Sequence, residues 1–192
     1  MKQNLDMDLI ERKLINMQER KDKVLEISRE IVRNAGRSIT LVHARKLGEA
    51  GRGITKLRTL TKKLRSAEEG FEYFSIQAYQ EYVEALAFYS VVKEKKLPSL
   101  SEMGTDEIPY LLGIMDLVGE LKREAIESMR ENDLKAANRY YSLMKNIYDS
   151  TRAMRFANSL VPEFRRKQDS ARIQVENTGT ELLSFKAKER YL

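Results

Sequence analysis

Two pairs of acidic residues in this chain have spacings that suit metal-assisted chemistry. Glu81 and Glu84 are three residues apart, and Asp116 and Glu120 are four residues apart. In a helix, either spacing places both carboxylates on one face, where they can share an ion. Carboxylate oxygens favour hard cations such as Mg²⁺ or Mn²⁺. If the two helices pack side by side, the four groups form an oxygen-rich site suited to phosphodiester hydrolysis.

The same acids have a simpler interpretation, because acidic residues at these spacings are common on solvated helix faces. At the helical period, Glu81 falls beside the apolar stripe of its helix, whereas Asp116 and Glu120 fall roughly opposite theirs. An acidic helix face that points into the cavity of an oligomer has the same sequence pattern as one that points into solvent. A di-iron bundle is disfavoured, since that site uses Glu-x-x-His pairs and no histidine follows these acids.

A strongly basic segment precedes both acidic pairs. Between Arg29 and Arg65 there are eleven basic and two acidic residues, so this segment has a net charge of +9. The rest of the chain has a net charge of −3, which gives the total of +6. Such a local excess attracts polyanions through their phosphates. Arg52, Lys56, Lys63 and the pair Arg58/Lys62 follow helical spacing and could form a ribbon that binds phosphate without reading base sequence. The residues predicted to bind phosphate from this ribbon are Arg52, Lys56, Lys62 and Lys63. No aromatic residue is interleaved with them, so base stacking is not predicted there. A solvated surface is the alternative.

The chain has one histidine, His43, and no cysteine. Disulfides and thiolate metal sites are therefore excluded, and most zinc chemistry is disfavoured. His43 is interpreted as a polar residue of the first helix. It could act as a general base, but nothing in the sequence places it near the acids.

The elements that must position these groups are all predicted to be helices, in one domain of residues 1–192. Their apolar residues recur at spacings of three and four, and no segment has the period of a strand. The predicted class is all-α, an antiparallel bundle of six to seven helices. The predicted helices cover residues 8–50, 54–67, 71–95, 108–131, 134–158 and 162–190, with a loop at 97–105.

Several finer features follow from the same pattern. Gly36 is expected to bend the first helix, the glycines at 48, 51 and 53 to end it, and Gly179 to break the last helix. Phe71 and Phe74 are expected to begin the buried stripe of the third helix. At ~1.5 Å per residue, the first helix is longer than a domain of this size requires to cover its hydrophobic core. Such a helix often forms part of an interface with another chain.

The chain lacks the features of a membrane or exported protein. No apolar run approaches the ~20 residues that a membrane-spanning helix needs, and charges occupy the N-terminal stretch where a signal peptide would be apolar. We therefore expect a soluble, cytoplasmic protein.

Two motifs resemble the Trax branch of the translin family. The sequence QEYVEA at residues 80–85, followed by Phe88, is similar to a stretch of Trax, the translin-associated factor X. The sequence PYLLGIMDLVGELKR at residues 109–123 resembles the DYLLGxxDLxGELxR stretch of the same family. Residues 28–31, with Arg37 and His43, resemble the family's first helix, and residues 146–149 resemble a later one. The resemblance extends from about residue 28 to the C-terminus.

The resemblance implies a seven-helix bundle whose subunits pack into a closed octameric shell. Translin subunits bind single-stranded RNA and DNA, and Trax subunits supply Mg²⁺-dependent endoribonuclease activity. Translin lacks the paired glutamates of QEYVEA, which this chain keeps at Glu81 and Glu84. The implied ligands of Mg²⁺ (or Mn²⁺) are Glu81, Glu84 and Asp116. Glu120 is implied as a fourth ligand or as the residue that orients water.

The phosphate-binding role and the assembly are expectations of the same kind. Arg123 could hold phosphate, or it could pair with Glu120 or Glu127. Pro109 departs from the family's usual aspartate, and the chain lacks long insertions between its third and fourth predicted helices. A compact chain favours a homo-oligomer, likened to an octamer, that both binds and cuts RNA; a separate translin-like partner is the alternative. Two other functions remain open: a shell that binds RNA or single-stranded DNA without cutting it, and a scaffold that acts through helix association.

Overall fold

The computed structural model of this chain describes residues 6–189 of 192. Within that range it contains seven α-helices, one 3₁₀ turn and no β-strand. The all-α bundle of six to seven helices is therefore confirmed. In chain order the elements are α1 (Met7–His43), α2 (Leu47–Arg65), the 3₁₀ turn (Glu72–Phe74), α3 (Ile76–Glu94), α4 (Leu100–Met103), α5 (Glu107–Arg130), α6 (Leu134–Thr151) and α7 (Phe164–Glu189).

The helices pack around two neighbouring helices, α3 and α5. Helix α1 lies against α2 and α3, while α5 lies against α3, α6 and α7. Short turns between α1 and α2 and between α5 and α6 make these pairs antiparallel neighbours. Large apolar side chains from several helices are fully buried between them, including those of Ile31, Leu57, Phe88, Leu117 and Leu121. This core fixes the relative positions of α3 and α5, which carry the two acidic pairs.

The predicted end of the first helix at residue 50 is wrong, because the chain turns immediately after His43. The backbone N–H of Lys46 donates to the carbonyl of Leu41 at 2.9 Å, and Arg45 adopts a positive φ of 60° in the turn. The glycines expected to end α1 instead lie inside α2. At Gly51 an added Cβ would lie 2.6 Å from the Tyr89 hydroxyl. At Gly51 and Gly53 an added Cβ would press against Tyr89 and Ser38, so these two glycines serve helix packing, whereas Gly48 has nothing within 4 Å of an added Cβ.

The prediction that Gly179 breaks the last helix is also wrong, whereas the expected bend at Gly36 stays a prediction. Helix α1 continues through Gly36, and α7 continues through Gly179. At Gly179 an added Cβ would lie 2.8 Å from the Tyr141 hydroxyl, so this glycine accommodates a neighbouring side chain. Helix α7 reaches Glu189, and the predicted end at Arg190 lies outside the described residues.

Other boundaries also differ from the predicted ones. Helix α2 begins at Leu47 rather than at residue 54, and α7 begins at Phe164 rather than at residue 162. Helix α3 begins at Ile76, because residues 72–74 form the 3₁₀ turn. As a result Phe74, expected in the buried stripe, is 42% exposed, and the adjacent Tyr73 is 77% exposed. Within the predicted loop at 97–105, Ser99 caps the short helix α4 through a reciprocal hydrogen-bond pair with Glu102. Helix α6 ends at Thr151, seven residues earlier than predicted.

The first three turns of α1 extend beyond the core. Met7, Ile10, Leu14 and Met17 lie at spacings of three and four and are about half exposed. They continue the stripe that becomes buried from Val24 onward. In the described part of the chain, no helix is both long and apolar enough to cross a membrane.

Candidate functional site

Helices α3 and α5 approach closely at Gly113. A Cβ added there would lie 2.6 Å from the backbone oxygen of Gln80 and 2.8 Å from the Val83 side chain. Only glycine permits this separation, since such distances are shorter than van der Waals contact. Gly113 precedes Asp116 by one helical turn, and Gln80 immediately precedes Glu81. The close approach therefore brings the two acidic pairs to the same part of the helix interface.

The four acids, here called the carboxylate cluster, are Glu81, Glu84, Asp116 and Glu120. Burial, together with the charges of the other three acids, raises the pKa of Glu84 to about 8. Burial and the charge of Asp116 also raise the pKa of Glu81, against the opposing charge of Lys167. The side chains of Asp116 and Glu120 are each 25% exposed. The cluster is thus a partly desolvated concentration of negative charge, unlike a solvated helix face.

Asp116 has two partners from other elements. Nε2 of Gln80 donates to Oδ2 of Asp116 at 2.6 Å, and the Lys167 ammonium forms an ion pair with Oδ1. Lys167 lies on α7 and its side chain is only 13% exposed. Sequence analysis missed both residues. Gln80 belongs to the QEYVEA motif, so its place in the sequence could have indicated a role beside the acids. Lys167 is 51 residues from Asp116, and nothing in its sequence surroundings indicates the contact.

His43 is the other group that sequence analysis did not connect to the acids. Its Nε2 contacts the carboxylate of Glu120, and its Nδ1 lies 2.8 Å from Oε1 of Glu124. The ring also packs on Phe88, with centroids 4.6 Å apart. Burial alone would lower the pKa of His43, but the hydrogen bonds to Glu120 and Glu124 raise it overall. The single histidine of the chain therefore lies at the edge of the cluster.

Glu124 completes this edge from a buried position. Its side chain is 2% exposed, and Arg45 donates to its Oε2 at 2.6 Å. Burial would raise the pKa of Glu124, but hydrogen bonds from His43 and Arg45 lower it overall. Arg45 forms this bond from a left-handed backbone conformation that disfavours side chains. A series of side-chain contacts, Arg45 to Glu124 to His43 to Glu120, thus connects the α1–α2 turn to the cluster and holds Glu120 in place.

The basic ribbon of Arg52, Lys56, Lys62 and Lys63 lies exposed on α2. Lys56 forms an ion pair with Glu30 at 2.8 Å. The cation that acts on Glu81 and Glu84 is Lys167, which is not a member of the ribbon. Arg123 is exposed but close enough for its charge to oppose protonation of His43. The binding roles of these five residues stay predictions.

The carboxylate cluster fits a hard cation by its chemistry. Burial and then the charges of Asp116, Glu81 and Glu120 raise the pKa of Glu84, and a divalent ion would relieve the repulsion among these acids. Among the side chains that the structure describes, no group of three or more His, Cys, Asp or Glu could hold a metal ion as they lie. Asp116 is engaged by Gln80 and Lys167, and Glu120 by His43.

The Arg45–Glu124 ion pair should contribute measurably to stability. We expect Arg45→Met to lower the free energy of unfolding by about 1–3 kcal/mol at pH 7, less than for a fully buried pair because Arg45 is 45% exposed. The pKa of Glu124 is below its ordinary value of 4.5 in the folded protein. The stabilisation is therefore complete above pH 4.5 and is lost as pH falls through the folded pKa.

Urea unfolding of both proteins at pH 7 and pH 3 checks this expectation. The difference between wild type and Arg45→Met should shrink at pH 3. The control is Arg130→Met, which removes an exposed pair with Glu127 at 3.3 Å and should change stability by less than about 0.5 kcal/mol. A difference that is the same at both pH values would contradict a role for the Glu124 charge.

Comparisons with known proteins relate the chain to one family. The translin-family profile matches residues 19–180. An uncharacterized protein of Methanocaldococcus jannaschii is 32% identical over 181 residues, which make up 90% of this chain and 79% of that protein.

Solved structures agree with this relationship. AfC3PO in complex with duplex RNA is similar with a TM-score of 0.89 and 28% identity, over 96% of this chain and 98% of that chain. A further crystal structure of AfC3PO has a TM-score of 0.85 at the same identity and coverage. Apo-NeC3PO has a TM-score of 0.85 and 22% identity, and the match covers 96% of this chain and 100% of that chain. At this identity the match supports the fold alone. The profile match over most of the chain shows that this protein belongs to the translin family.

Proposed function

We propose that this chain is a Trax-like, metal-dependent endoribonuclease that cuts single-stranded or short RNA inside an oligomeric shell. One observation carries the proposal: α3 and α5 bring four partly buried carboxylates within electrostatic reach of one another, and burial together with the charges of the other three acids raises the pKa of Glu84 to about 8. Perturbed pKa values of this kind are common at functional sites.

The acids would hold Mg²⁺ or Mn²⁺ through Glu81, Glu84 and Asp116, with Glu120 as a fourth ligand or as the residue that orients water. A bound divalent ion would activate water and offset the charge of the scissile phosphate. His43 holds the carboxylate of Glu120 in one orientation, and Lys167 adds a cation beside Asp116 that can contact a phosphate oxygen.

Binding of the RNA backbone would fall to the exposed cations. Arg52, Lys56, Lys62 and Lys63 on α2 and Arg123 on α5 can contact phosphates without reading base sequence. Support for RNA as the ligand comes from AfC3PO, which is 28% identical and has been solved with duplex RNA. Single-stranded DNA could use the same cations.

Assembly into a shell would use the apolar residues that α1 exposes beyond the core, from Met7 to Met17. We propose a homo-oligomer, by family resemblance an octamer, in which each subunit both binds and cuts. A translin-like partner subunit is the alternative, and the mass of the purified protein by light scattering distinguishes the two.

A second candidate function is a shell that binds RNA or single-stranded DNA without cutting it. The observation that favours it is the engagement of both oxygens of Asp116 by Gln80 and Lys167. The Lys167 ammonium offsets the charge of Asp116, and the Gln80 amide occupies its other oxygen.

A cleavage assay separates the two functions. End-labelled single-stranded RNA is incubated with the protein in Mg²⁺, Mn²⁺ or EDTA, and binding is measured in parallel by fluorescence anisotropy. We expect products with either metal and none in EDTA. RNA that binds but stays intact with both metals would establish the binding shell and remove the nuclease proposal.

A further inference from the structure

A cavity of about 490 Å³ opens beside the carboxylate cluster, between the 3₁₀ turn, α3 and the start of α7. Two residues of its wall, Gln80 and Lys167, are the partners of Asp116. Arg166 adds a second cation to the wall, where its Nε donates to Oε2 of Glu163 at 2.6 Å, and Tyr73 and Phe74 form the aromatic side. The volume is within the range of about 300–1,000 Å³ that small ligands occupy. The cavity therefore leads directly from the acids to two aromatic rings.

The two rings are unusually accessible for aromatic residues. Tyr73 is 77% exposed, the largest value among the exposed large hydrophobic residues of the described chain, and Phe74 is 42% exposed. Their rings meet edge to face with centroids 5.8 Å apart, and Phe74 is in turn 6.5 Å from Phe71. These contacts hold the two rings roughly perpendicular to each other, at 83°, while both residues stay exposed. Aromatic faces held in this way accept stacked nucleobases.

A second cavity, of about 410 Å³, lies on the other side of Phe74. It shares Leu25, Phe74 and Gln77 with the first cavity. Its wall also includes Arg29 and Arg33, which are exposed and one helical turn apart on α1. Phe74 thus stands between a cavity that adjoins the carboxylates and one bordered by two guanidinium groups.

We propose that the two cavities form a subsite for an unpaired stretch of the RNA strand: Tyr73, the more exposed ring, stacks on a base next to the phosphate at the carboxylate cluster, and Phe74 supports Tyr73 edge to face. Arg29 and Arg33 hold the phosphates beyond it. The inference rests on the proposed function and deepens it. A paired base keeps both faces in the helical stack and cannot reach these rings. The subsite therefore selects RNA whose nucleotides are unpaired next to the cut.

The test uses the full-length protein in EDTA, so that binding is measured without cleavage. The probes are a short single-stranded RNA containing 2-aminopurine and the same strand in a duplex. Removing both rings, in Tyr73→Leu/Phe74→Leu, should raise the Kd of the single strand about tenfold or more and abolish its stacking-induced quenching. Binding of the duplex should change less than about twofold, because its phosphates are held by other residues.

Two controls sharpen the comparison. Tyr73→Phe keeps the ring and should bind the single strand like wild type. Leu183→Ala removes another exposed apolar side chain, 69% exposed and further along α7, and should also leave binding unchanged.

Three results would overturn the subsite: unchanged single-strand affinity in the double variant, equal weakening of both RNA forms, or an altered molecular mass by light scattering, which would assign the rings to a contact between copies. If wild type binds the single strand with quenching but never cuts RNA, only the nuclease proposal fails. If wild type cuts RNA and the double variant keeps its affinity and quenching, only the subsite proposal fails.

Discussion

Glu84→Gln is expected to abolish metal-dependent cleavage of RNA while leaving RNA binding in EDTA intact. Glutamine keeps the shape of the side chain but loses the charge that an ion needs. The rate should fall by more than the roughly 10–100-fold that loss of an outer partner of a metal ligand costs, because Glu84 is proposed as a direct ligand. The measurement is the initial rate of product formation in Mg²⁺ with wild type and variant purified in parallel.

The variant should fold, because in the metal-free protein the pKa of Glu84 is about 8. Its carboxyl is therefore mostly protonated at pH 7, a state that glutamine resembles. A pKa raised above the unfolded value makes wild type less stable as pH rises from 4.5 toward 8. In EDTA at pH 8, Glu84→Gln should accordingly unfold at a temperature no lower than that of wild type.

Glu94→Gln is the matched control, since Glu94 is exposed near the end of the same helix. It should cut RNA like wild type. Cleavage by Glu84→Gln at the wild-type rate would show that this glutamate takes no part in the reaction and would remove the carboxylate cluster as the proposed site.

Gly113→Ala is expected to destabilise the protein by about 1–3 kcal/mol, the usual effect of overpacking a core. The added methyl group would meet the backbone oxygen of Gln80 at 2.6 Å, and a backbone atom within a packed helix cannot move aside without shifting α3. In a protein of this size each kcal/mol lowers the midpoint of thermal unfolding by about 2–4 °C. The midpoint, measured by circular dichroism, should therefore fall by several degrees.

Gly119→Ala provides the comparison on the same helix. Its added Cβ would meet only the Gln174 side chain, at 3.5 Å, so the greater helix propensity of alanine should raise stability by roughly 0.5–1 kcal/mol. The two variants are expected to shift stability in opposite directions. A similar shift in both would mean that Gly113 does not set the distance between α3 and α5. In a folded Gly113→Ala sample, cleavage should also slow, because a displacement of about 1 Å at a reacting centre can cost ~100-fold.

The helical content of this protein was predictable because it depends on local periodicity. Apolar residues at spacings of three and four identified all six long helices, and Pro109 in the first turn marks the start of α5. The glycines of α2 were misinterpreted for a physical reason. Gly51 allows Tyr89 to approach α2 closely, but in the sequence it cannot be told from a glycine that ends a helix. The distinction depends on Tyr89, which is distant along the chain.

The acids of the site were predictable, whereas the residues that surround them were not. Glu81, Glu84, Asp116 and Glu120 were identifiable by spacing within two segments. Lys167, Glu124 and His43 reach the cluster from other helices, so their contacts depend on tertiary packing and leave no periodic trace. The exposure of Phe74 was hidden for another reason: the 3₁₀ turn shifts this residue out of the helical stripe that its spacing predicted, and Tyr73 lies in the same turn.

The contact between His43 and Glu120 gives the protein a built-in spectroscopic reporter. Because the chain contains a single histidine, its imidazole signals in an NMR spectrum come from one place in each subunit, at the edge of the carboxylate cluster. Ring nitrogen shifts distinguish the two neutral tautomers from the protonated form. Any ligand or ion that changes the bonding of Glu120 will therefore register in one resolved set of resonances, without mutation or an attached probe.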